Sequence, residues 1–575
     1  MAPSSFRATS IIGLLALLQW PTSGLAQQIG TCPRSLGEAY LDANNVRARI
    51  LNTGGLFYRG QPSVYEIPRG SGIHSIFAGS IWIAGQVGGE LRASAARYSN
   101  NELWAGPLDD DGNPPDDCGS YDHVYKVSRT DVREYEATGF ATDDLRLWPT
   151  GLGAPTYLGD GELIDLSGQS FNSRASRLID LEAGERPAIR GDQSVWWVMN
   201  DRGNVHNSTD TAPMGIEVHG HAFAAFHRTN AINNATLYHY RIFNKNDLPI
   251  TEAYVGLWLE VDLGDFDDDF IGADTSRGMG FVYNGDNEDR IDRRGYGTPP
   301  PALGSLFLEG PLADTDLKDN DRDGLVDERG ERLRTTTVGW YYGGGGGYQS
   351  SPSRAEDYYQ YLMGEWRDGR HFTIGGDGRD FSNTPTNFIF PGDPVTAAYW
   401  SEMNRDSLGT PREPGDRLFF ISSGPFSIDP GEDTDFTFAI VWARGRDHLD
   451  SVTELRKAAD HVRNAFESGG WDNLIFPFPQ DPIPPESNPS AALAHNFPEP
   501  FSEKTTIRYR VPDFAFVKLV VLDVLGREVK LLVREPKDAG EYSVTFDGAD
   551  LPSGVYFYRI EIGHASATRS MMLVN

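Results

Sequence analysis

The stretch TTIRYRV, residues 505–511, alternates apolar and polar side chains, and VKLVVLD, residues 517–523, follows it as a second run rich in β-branched residues. Alternation turns one side of a strand toward a core and the other toward solvent. Three further runs of this kind occupy residues 529–533, 540–546 and 555–562. Short strands at this spacing predict a small antiparallel β-sandwich at the carboxyl end.

Residues 27–476 form a larger body that we also expect to be mainly β. Its apolar runs are short and are separated by Gly, Pro and Asn; they lie at residues 79–85, 91–96, 195–200, 215–227, 236–244, 254–262, 418–421 and 434–443. One helix is predicted over residues 448–468, where Val452, Leu455, Val462 and Phe466 recur at helical spacing. The predicted fold is therefore a β-sandwich-rich body with one late helix, followed by the small sandwich.

Charge and proline content separate the two regions. Residues 477–490 (PFPQDPIPPESNPS) are a proline-rich linker, which favours an extended and semi-rigid conformation. The net charge of the 575-residue chain is −31, but residues 491–575 contain 10 basic and 11 acidic residues, so nearly all of it lies before the linker. An acidic body of this kind repels nucleic acid, and we exclude nucleic-acid binding.

The amino-terminal residues 1–26 have the pattern of a signal peptide. Arg7 precedes the apolar run IIGLLALL at residues 11–18, and small residues allow cleavage after Ala26. That run is too short to cross a bilayer, and no other stretch reaches the length of a membrane span. We therefore expect a secreted protein without a membrane span.

The carboxyl-terminal motifs resemble a known export signal. In order along the chain they are NFPEPF (496–501), TTIRY (505–509), DVLGREV (523–529), LPSGVYFYR (551–559) and MMLV (571–574). Their order and spacing resemble the type A C-terminal sorting domain of the type IX secretion system, although Glu499 and Ser502 replace the more usual asparagines. The resemblance implies an immunoglobulin-like sandwich, similar to that of flagellar hook-capping proteins. It also implies engagement with the type IX secretion machinery and attachment to surface glycan or lipopolysaccharide.

Several strings of the body resemble a broad class of secreted proteins that carry the same sorting domain. They are FAGSIWI (77–83), WAGPL (104–108), and SGPF (423–426) followed by DPG (429–431). The class implies an extracellular location and a β-rich body, and it implies no activity.

A calcium site is predicted in the loop DNDRDGLVDE, residues 319–328. Calcium takes six to eight oxygen ligands, and carboxylates at alternating positions of a turn converge on one ion. The loop resembles the calcium loops of thrombospondin type 3 repeats. The alternative is a solvated acidic turn. The predicted ligands are Asp319, Asp321, Asp323, Leu325, Asp327 and Glu328.

A second acidic cluster lies within residues 262–292, which makes residues 262–331 the acidic region of the body. Its carboxylates repel one another, and a cation would relieve that repulsion. We predict a second calcium site there, with a hydrated acidic loop and a carboxylate pair for glycoside hydrolysis as the alternatives. The candidate ligands are Asp265, Asp267, Asp269 and Asp274.

Glu217, His219 and His221 alternate, so on a strand they share one face. A His-x-His pair on a strand is able to hold zinc or another transition metal, with one further histidine as the third ligand. The alternative, which we favour, is an exposed polar face of a sheet. The candidates for the third ligand are His206, His227 and His239.

Two smaller features remain open from the sequence. Aromatic residues gather near Trp340 and Trp366, and such residues either bind sugar or fill the core of a sandwich. Cys32 and Cys118 are the two cysteines, and in an oxidising compartment they form a disulfide unless both stay unpaired.

These observations together predict a secreted or surface-attached protein that is noncatalytic and stabilised by calcium, with a structural, adhesive or binding role. The alternatives are a secreted hydrolase acting on polysaccharide and a carbohydrate-binding protein. We assign no catalytic residue from the sequence.

Overall fold

The protein is described as a computed structural model covering residues 29–98, 100, 102–164, 166, 169–227, 231–313, 326, 330–344, 346–379, 381–404, 412–468, 493–494, 496–511, 515–524, 526–562 and 565–574. The predicted signal peptide, the proline-rich linker and every predicted ligand of the 319–328 loop lie outside the described residues.

The body consists of strands with a few helices between them. The strands are β1 (Glu38–Leu41), β2 (Arg47–Leu51), β3 (Gly55–Leu56), β4 (Tyr65–Glu66), β5 (Ala78–Val87), β6 (Glu90–Ala95), β7 (Trp104–Ala105), β8 (Tyr125–Ser128), β9 (Thr156–Tyr157), β10 (Arg186–Pro187), β11 (Gln193–Asn200), β12 (Ile216–Ala224), β13 (Ala235–Asn244), β14 (Ile250–Val261), β15 (Asp269–Asp274), β16 (Met279–Asn284), β17 (Pro301–Glu309), β18 (Thr337–Tyr341), β19 (Arg417–Ile428) and β20 (Asp433–Arg444). The α-helices are α1 (Arg129–Thr138), α2 (Asp143–Arg146), α3 (Phe171–Arg174), α4 (Ala355–Met363) and α5 (His448–Glu467), and 3₁₀ turns occupy Cys118–Tyr121, Thr150–Leu152, Ala231–Asn234 and Ile291–Arg293.

Two large antiparallel sheets are stacked to form the body. The first sheet has the strand order β1-β2-β3-β5-β14-β19-β18, with β4 paired to β2 and β6 paired to β5. The second sheet has the order β15-β16-β17-β20-β13-β12-β11-β7, with β8 paired to β11. The predicted neighbouring strands at residues 79–85 and 91–96 are β5 and β6, and the prediction of a β-sandwich body is confirmed.

The core lies between the two sheets and continues beyond them. Tyr65 of the first sheet meets Thr236 of the second, with 3.0 Å between their hydroxyl oxygens. Helix α4 covers the outer face of the first sheet, where Trp82 stacks on Trp258 with ring centroids 6.1 Å apart. Strands covered on both faces have apolar side chains on both, which explains the continuous apolar runs of the sequence.

Two different elements cover the outer face of the second sheet. Helix α5 packs Val452, Leu455 and Phe466 over one half of it. The other half is covered by the segment 129–190, which has a small core of its own around Trp148 and Trp196. The open space between the sheet and this segment is the site described below.

The predicted late helix is confirmed as α5, which ends one residue earlier than expected, at Glu467. The Asp447 side chain caps it by accepting hydrogen bonds from the backbone N–H groups of Leu449 and Asp450. The sequence did not predict α1, because none of its residues is buried and it therefore has no apolar stripe.

The carboxyl-terminal strands form a separate small sandwich. They are β21 (Lys504–Val511), β22 (Ala515–Leu522), β23 (Glu528–Lys537), β24 (Gly540–Asp547), β25 (Gly554–Ile562) and β26 (Ala565–Leu573). Strand β21 pairs with β24, and the other sheet has the order β23-β22-β25-β26. The five predicted strands are present, and β26 is an additional one.

Candidate functional site

Strands β12 and β13 form the floor of a cleft on the outer face of the second sheet. They pair in antiparallel register, with His219 opposite Arg241 and His221 opposite His239. Glu217, His219 and His221 share one face, as their alternation predicted. This face is covered, however: the three residues are only 2%, 8% and 2% exposed, so the interpretation of an exposed polar face is wrong.

The segment 129–190 folds back over this floor and forms the roof of the cleft. Its 3₁₀ turn Thr150–Leu152 ends at Gly153, whose φ is +102°. A Cβ atom at this position would lie 2.7 Å from Cε1 of His219, so only glycine allows the backbone to pass this close to the imidazole. The enclosed volume is about 920 Å³, and its lining includes Tyr157, Gln169, Trp196, Phe243 and Lys245.

Glu217 and His219 form a hydrogen-bonded pair in this cleft. Glu217 Oε1 lies 2.8 Å from His219 Nε2, and its Oε2 accepts a hydrogen bond of 2.6 Å from the backbone N–H of Leu108. Burial acts to raise the pKa of Glu217, but the hydrogen bond and charge of His219 outweigh it, and the net pKa is lowered. The carboxylate is therefore ionised and fixes the orientation of the imidazole.

His221 and His239 lie side by side deeper in the cleft. His221 Nε2 is 2.9 Å from the Ser194 hydroxyl oxygen, while its Nδ1 is buried with no hydrogen-bond partner among the described residues. Burial lowers the pKa of both histidines well below the usual value, and the charge of Arg190 lowers them further. Both imidazoles are therefore neutral at physiological pH.

Charged side chains complete the floor, and the sequence did not single them out. Arg241 binds Asp433 through two hydrogen bonds of 2.6 and 2.8 Å. Lys245 follows β13, and its ammonium group has no ion pair or hydrogen bond among the described residues. Arg241 and Lys245 continue the alternation of His239 along one strand, which is the signal that would have identified them.

The structure does not gather the predicted transition-metal ligands around one point. His206 lies away from the cleft, where its Nδ1 is 2.7 Å from Glu102 and its Nε2 is 2.7 Å from the carbonyl oxygen of Asp201. Within the described residues, no group of three or more His, Cys, Asp or Glu side chains is arranged to hold a metal ion.

The carboxylates of the second predicted calcium site have protein partners instead. Asp265 forms an ion pair with Arg290 at 2.5 Å, and Asp267 forms one with Arg293 at 2.6 Å. Asp274 lies at the far end of β15 from Asp269 and pairs with its own arginines, Arg277 and Arg456. The structure therefore separates Asp274 from the other three, and calcium at this cluster stays a prediction.

Several carboxylates of the same region are buried or half-buried close to one another. Burial, together with the charges of nearby aspartates, raises the pKa of Asp262 and Asp268 to about 7 and that of Glu260 to about 8. Asp269 is fully buried, and its Oδ1 has no hydrogen-bond partner in the described part of the chain. This group stores electrostatic repulsion that increases as pH rises.

The aromatic residues considered for sugar binding are not on the surface. Trp340 and Trp366 are both 0% exposed and belong to the core, where Trp340 packs on Phe390 and Trp366 on Phe372. The core-filling interpretation of these aromatics is therefore the correct one.

Cys32 and Cys118 form a disulfide bond. The bond is buried against Trp104 at the end of the second sheet, next to the strand pair of β7 and β11. It links the chain before β1 to the segment that leads into the cleft roof.

The opening motif of the carboxyl-terminal sandwich is held by side-chain hydrogen bonds. The Asn496 amide donates to Glu499 Oε2 at 2.6 Å and to the Thr505 hydroxyl at 3.0 Å. Glu499 Oε1 accepts a hydrogen bond of 2.8 Å from the backbone N–H of Met572, in the last strand. Glu499, which stands where asparagine is more usual, thus joins the first and last motifs.

Residues 495–574 match the family described as the secretion system C-terminal sorting domain. The sorting domain confirms the resemblance noted in the sequence. It implies secretion by the type IX pathway and attachment at the cell surface. Among the described residues, no helix combines the length and apolar character needed to cross a membrane.

The chain also has a weaker similarity to a solved structure. A polysaccharide lyase aligns at 9% sequence identity with a TM-score of 0.16, covering 66% of this chain and 35% of the lyase. The aligned part is thus about a third of the lyase, and a TM-score of this size assigns neither a common fold nor an activity. No curated protein matches the chain.

Proposed function

We propose that this exported protein is a noncatalytic, calcium-stabilised binding protein of the cell surface, which takes a polar extracellular ligand in the cleft over β12 and β13. The observation that carries the proposal is the cleft itself. It has a volume of about 920 Å³, and polar side chains such as Glu217, His219 and Lys245 line it beside the aromatic Trp196 and Phe243. Ligand sites are typically preformed concave spaces with a few convergent polar groups.

Binding is favoured over glycoside hydrolysis by the state of the carboxylates in the cleft. Retaining and inverting glycosidases need two carboxyl groups that face the scissile bond. Here the Glu217 carboxylate is hydrogen-bonded to His219 and to the backbone N–H of Leu108, and the Asp433 carboxylate is hydrogen-bonded to Arg241. Two further carboxylates, Asp110 and Glu432, line the cleft, and Asp110 accepts hydrogen bonds from the Ser170 hydroxyl and from the backbone N–H of Phe171. Glu432 is then the one carboxylate of the cleft without a side-chain hydrogen bond to a described residue, which leaves no free pair for hydrolysis.

The calcium part of the proposal rests on the sequence of the 319–328 loop. Asp319, Asp321 and Asp323 alternate before a glycine, and Asp327 and Glu328 supply further oxygens. A bound ion would stabilise the folded body in proportion to its affinity.

Titration of the full mature chain with extracellular polysaccharides tests the binding role. Gln169 is exposed on the roof and lines the cleft, so Gln169→Trp is expected to narrow the cleft and weaken binding by about tenfold or more. Glu162 is exposed on the same segment outside the cleft, and Glu162→Trp is the matched control. Absence of binding by the wild-type chain, or equal loss in both variants, contradicts the proposal.

A further inference from the structure

Two imidazole nitrogens on the floor of the cleft have no hydrogen-bond partner among the described residues. His221 Nδ1 is fully buried and has no hydrogen-bond partner among the described residues. The Nε2 of His219 is held by Glu217, while no hydrogen bond from its Nδ1 to a described residue is present. Of the two, only His221 Nδ1 is a fully buried atom, and a buried polar atom without a partner is costly, so a ligand or water that binds it there would stabilise the cleft.

The chemistry of these nitrogens favours hydroxyl groups as their partners. A neutral imidazole has one nitrogen that donates and one that accepts. His219 donates from Nε2 to a carboxylate, so its Nδ1 is an acceptor if the ring is neutral and a donor if the ring is charged. The tautomer of His221 depends on the Ser194 hydroxyl, which either donates or accepts. A hydroxyl group satisfies both histidines, because it donates and accepts hydrogen bonds.

His221, His219 and Glu217 form a row along the floor of the cleft. A cationic group, the ammonium of Lys245, lies at the end of this row opposite His221. The backbone N–H of Lys245 donates to the carbonyl oxygen of Gly215, so Lys245 is one register position beyond the end of β13. Its positive charge contributes to the lowered pKa of Glu217 and of Asp110. With no ion-pair partner among the described residues, its ammonium group is available for an anion.

The dimensions of the row require an elongated ligand. The seven residues from Gly215 to His221 are separated by six steps, which span about 20 Å on an extended strand. Tyr157 in the roof and Phe243 in the floor are half-buried aromatics that line the same space, and they offer apolar surface to the C–H faces of a ring. Arg190 and Arg241 lie close to His239, which makes the inner end unfavourable for a metal cation.

We propose that the ligand of the cleft is a carboxylated oligosaccharide whose ring hydroxyls bind Nδ1 of His219 and His221 and whose uronate group binds the ammonium of Lys245. This inference rests on the proposed function, since it assumes that the cleft is a ligand site, and it specifies the ligand class.

The test compares acids with their own methyl esters. The full mature chain is titrated calorimetrically at pH 7 with oligomers of galacturonate, of mixed mannuronate and guluronate, and of glucuronate-containing hyaluronan. Each is paired with its fully methyl-esterified form, which keeps the hydroxyls and removes the charge. We expect at least one acid to bind about tenfold or more tightly than its ester, as loss of a charge-assisted hydrogen bond requires.

Substitutions then identify which side chains of the cleft contact the ligand. Lys245→Gln is expected to remove the preference for the acid and to leave ester binding unchanged, whereas Lys457→Gln, on the exposed face of α5, leaves both unchanged. His221→Leu is expected to weaken acid and ester alike. Thermal unfolding of each variant verifies that it is folded. If His221→Leu does not fold, the comparison of Lys245→Gln with Lys457→Gln still tests the assignment, because His221 is intact in both variants.

The outcomes separate this inference from the proposed function. If neutral or sulfated glycans bind in a way that Gln169→Trp weakens, and no uronate is preferred, then the uronate assignment is overturned and the binding role stands. If no glycan of any class binds, both are overturned. Equal effects of Lys245→Gln and Lys457→Gln also overturn the assignment.

Discussion

Replacing Asp262 by asparagine tests how the buried carboxylates of the body control its stability. Asp262 follows β14 and lies near Glu260 and Asp416. Its side chain forms no hydrogen bond or ion pair with a described residue, so Asp262→Asn removes the charge without breaking a contact. Burial, followed by the charges of Asp416 and Asp265, raises its pKa to about 7.

The expected magnitude follows from the size of this shift. The ordinary value for an aspartate is 3.8, so ionisation in the folded state is disfavoured by about three pKa units, or at most about 4 kcal/mol. Because the folded-state pKa is raised, the contribution of Asp262 to stability is fully present below pH 4 and is lost as pH rises through 7. Glu260, with a pKa raised to about 8, acts in the same direction.

Denaturant unfolding of the mature chain in chelator, at pH 5 and at pH 8, measures this contribution. We expect the wild-type body to be less stable at pH 8 than at pH 5. Asp262→Asn is expected to increase the free energy of unfolding at pH 8 by 1 kcal/mol or more, within an upper bound of about 4 kcal/mol, and to increase it less at pH 5, where the upper bound is about 1.6 kcal/mol. The exposed Asp292, replaced in the same way, serves as the control.

Two results would refute this reasoning. One is an unfolding free energy that is equal at the two pH values in both proteins. The other is a loss of stability in Asp262→Asn at pH 8, which would mean that the ionised carboxylate stabilises the folded body. Repeating the measurement with calcium in place of chelator tests cation binding separately, since calcium bound by Asp262 would stabilise the wild type more than the variant.

Three further predictions concern the loop, the disulfide and the tail. Chelation is expected to lower the melting temperature of the wild type but not that of Asp321→Asn/Asp323→Asn, and equal responses by calorimetry would contradict a calcium site in the loop. Replacing both Cys32 and Cys118 by alanine is expected to cost about 4–5 kcal/mol in the chain-entropy model, for a sequence separation of 86 residues; an unchanged denaturant midpoint would contradict this. Deleting residues 491–575 is expected to remove the protein from the cell surface, and immunoblotting of surface and periplasmic fractions checks this against the full chain.

Local patterns in the sequence determined the strands and the destination of the protein. Alternation and apolar runs depend only on neighbouring residues, so β5, β11, β13 and β20 were predicted close to their observed bounds. The helix α5 was predicted for the same reason, because its apolar stripe is regular. The sorting domain was recognisable because its motifs retain their order along about 80 residues.

Contacts between residues far apart in the sequence were not predictable from local patterns. The sequence suggested that Asp265, Asp267, Asp269 and Asp274 share a cation, but arginines from other segments reach three of them, and these arginines are Arg290, Arg293 and Arg456. The aromatic cluster near Trp340 suited either sugar binding or a core, and only its burial in the folded chain decides for the core.

The cleft shows most clearly the difference between what the sequence predicts and what only the tertiary structure decides. The sequence alone placed Glu217, His219 and His221 on one face of a strand, since the period of a strand is local. Whether that face meets solvent or a roof depends on the segment 129–190, whose Gly153 returns to the imidazole of His219 from more than sixty residues earlier in the chain. Burial, the neutral histidines and the enclosed volume all follow from that contact, and only the tertiary structure decides it.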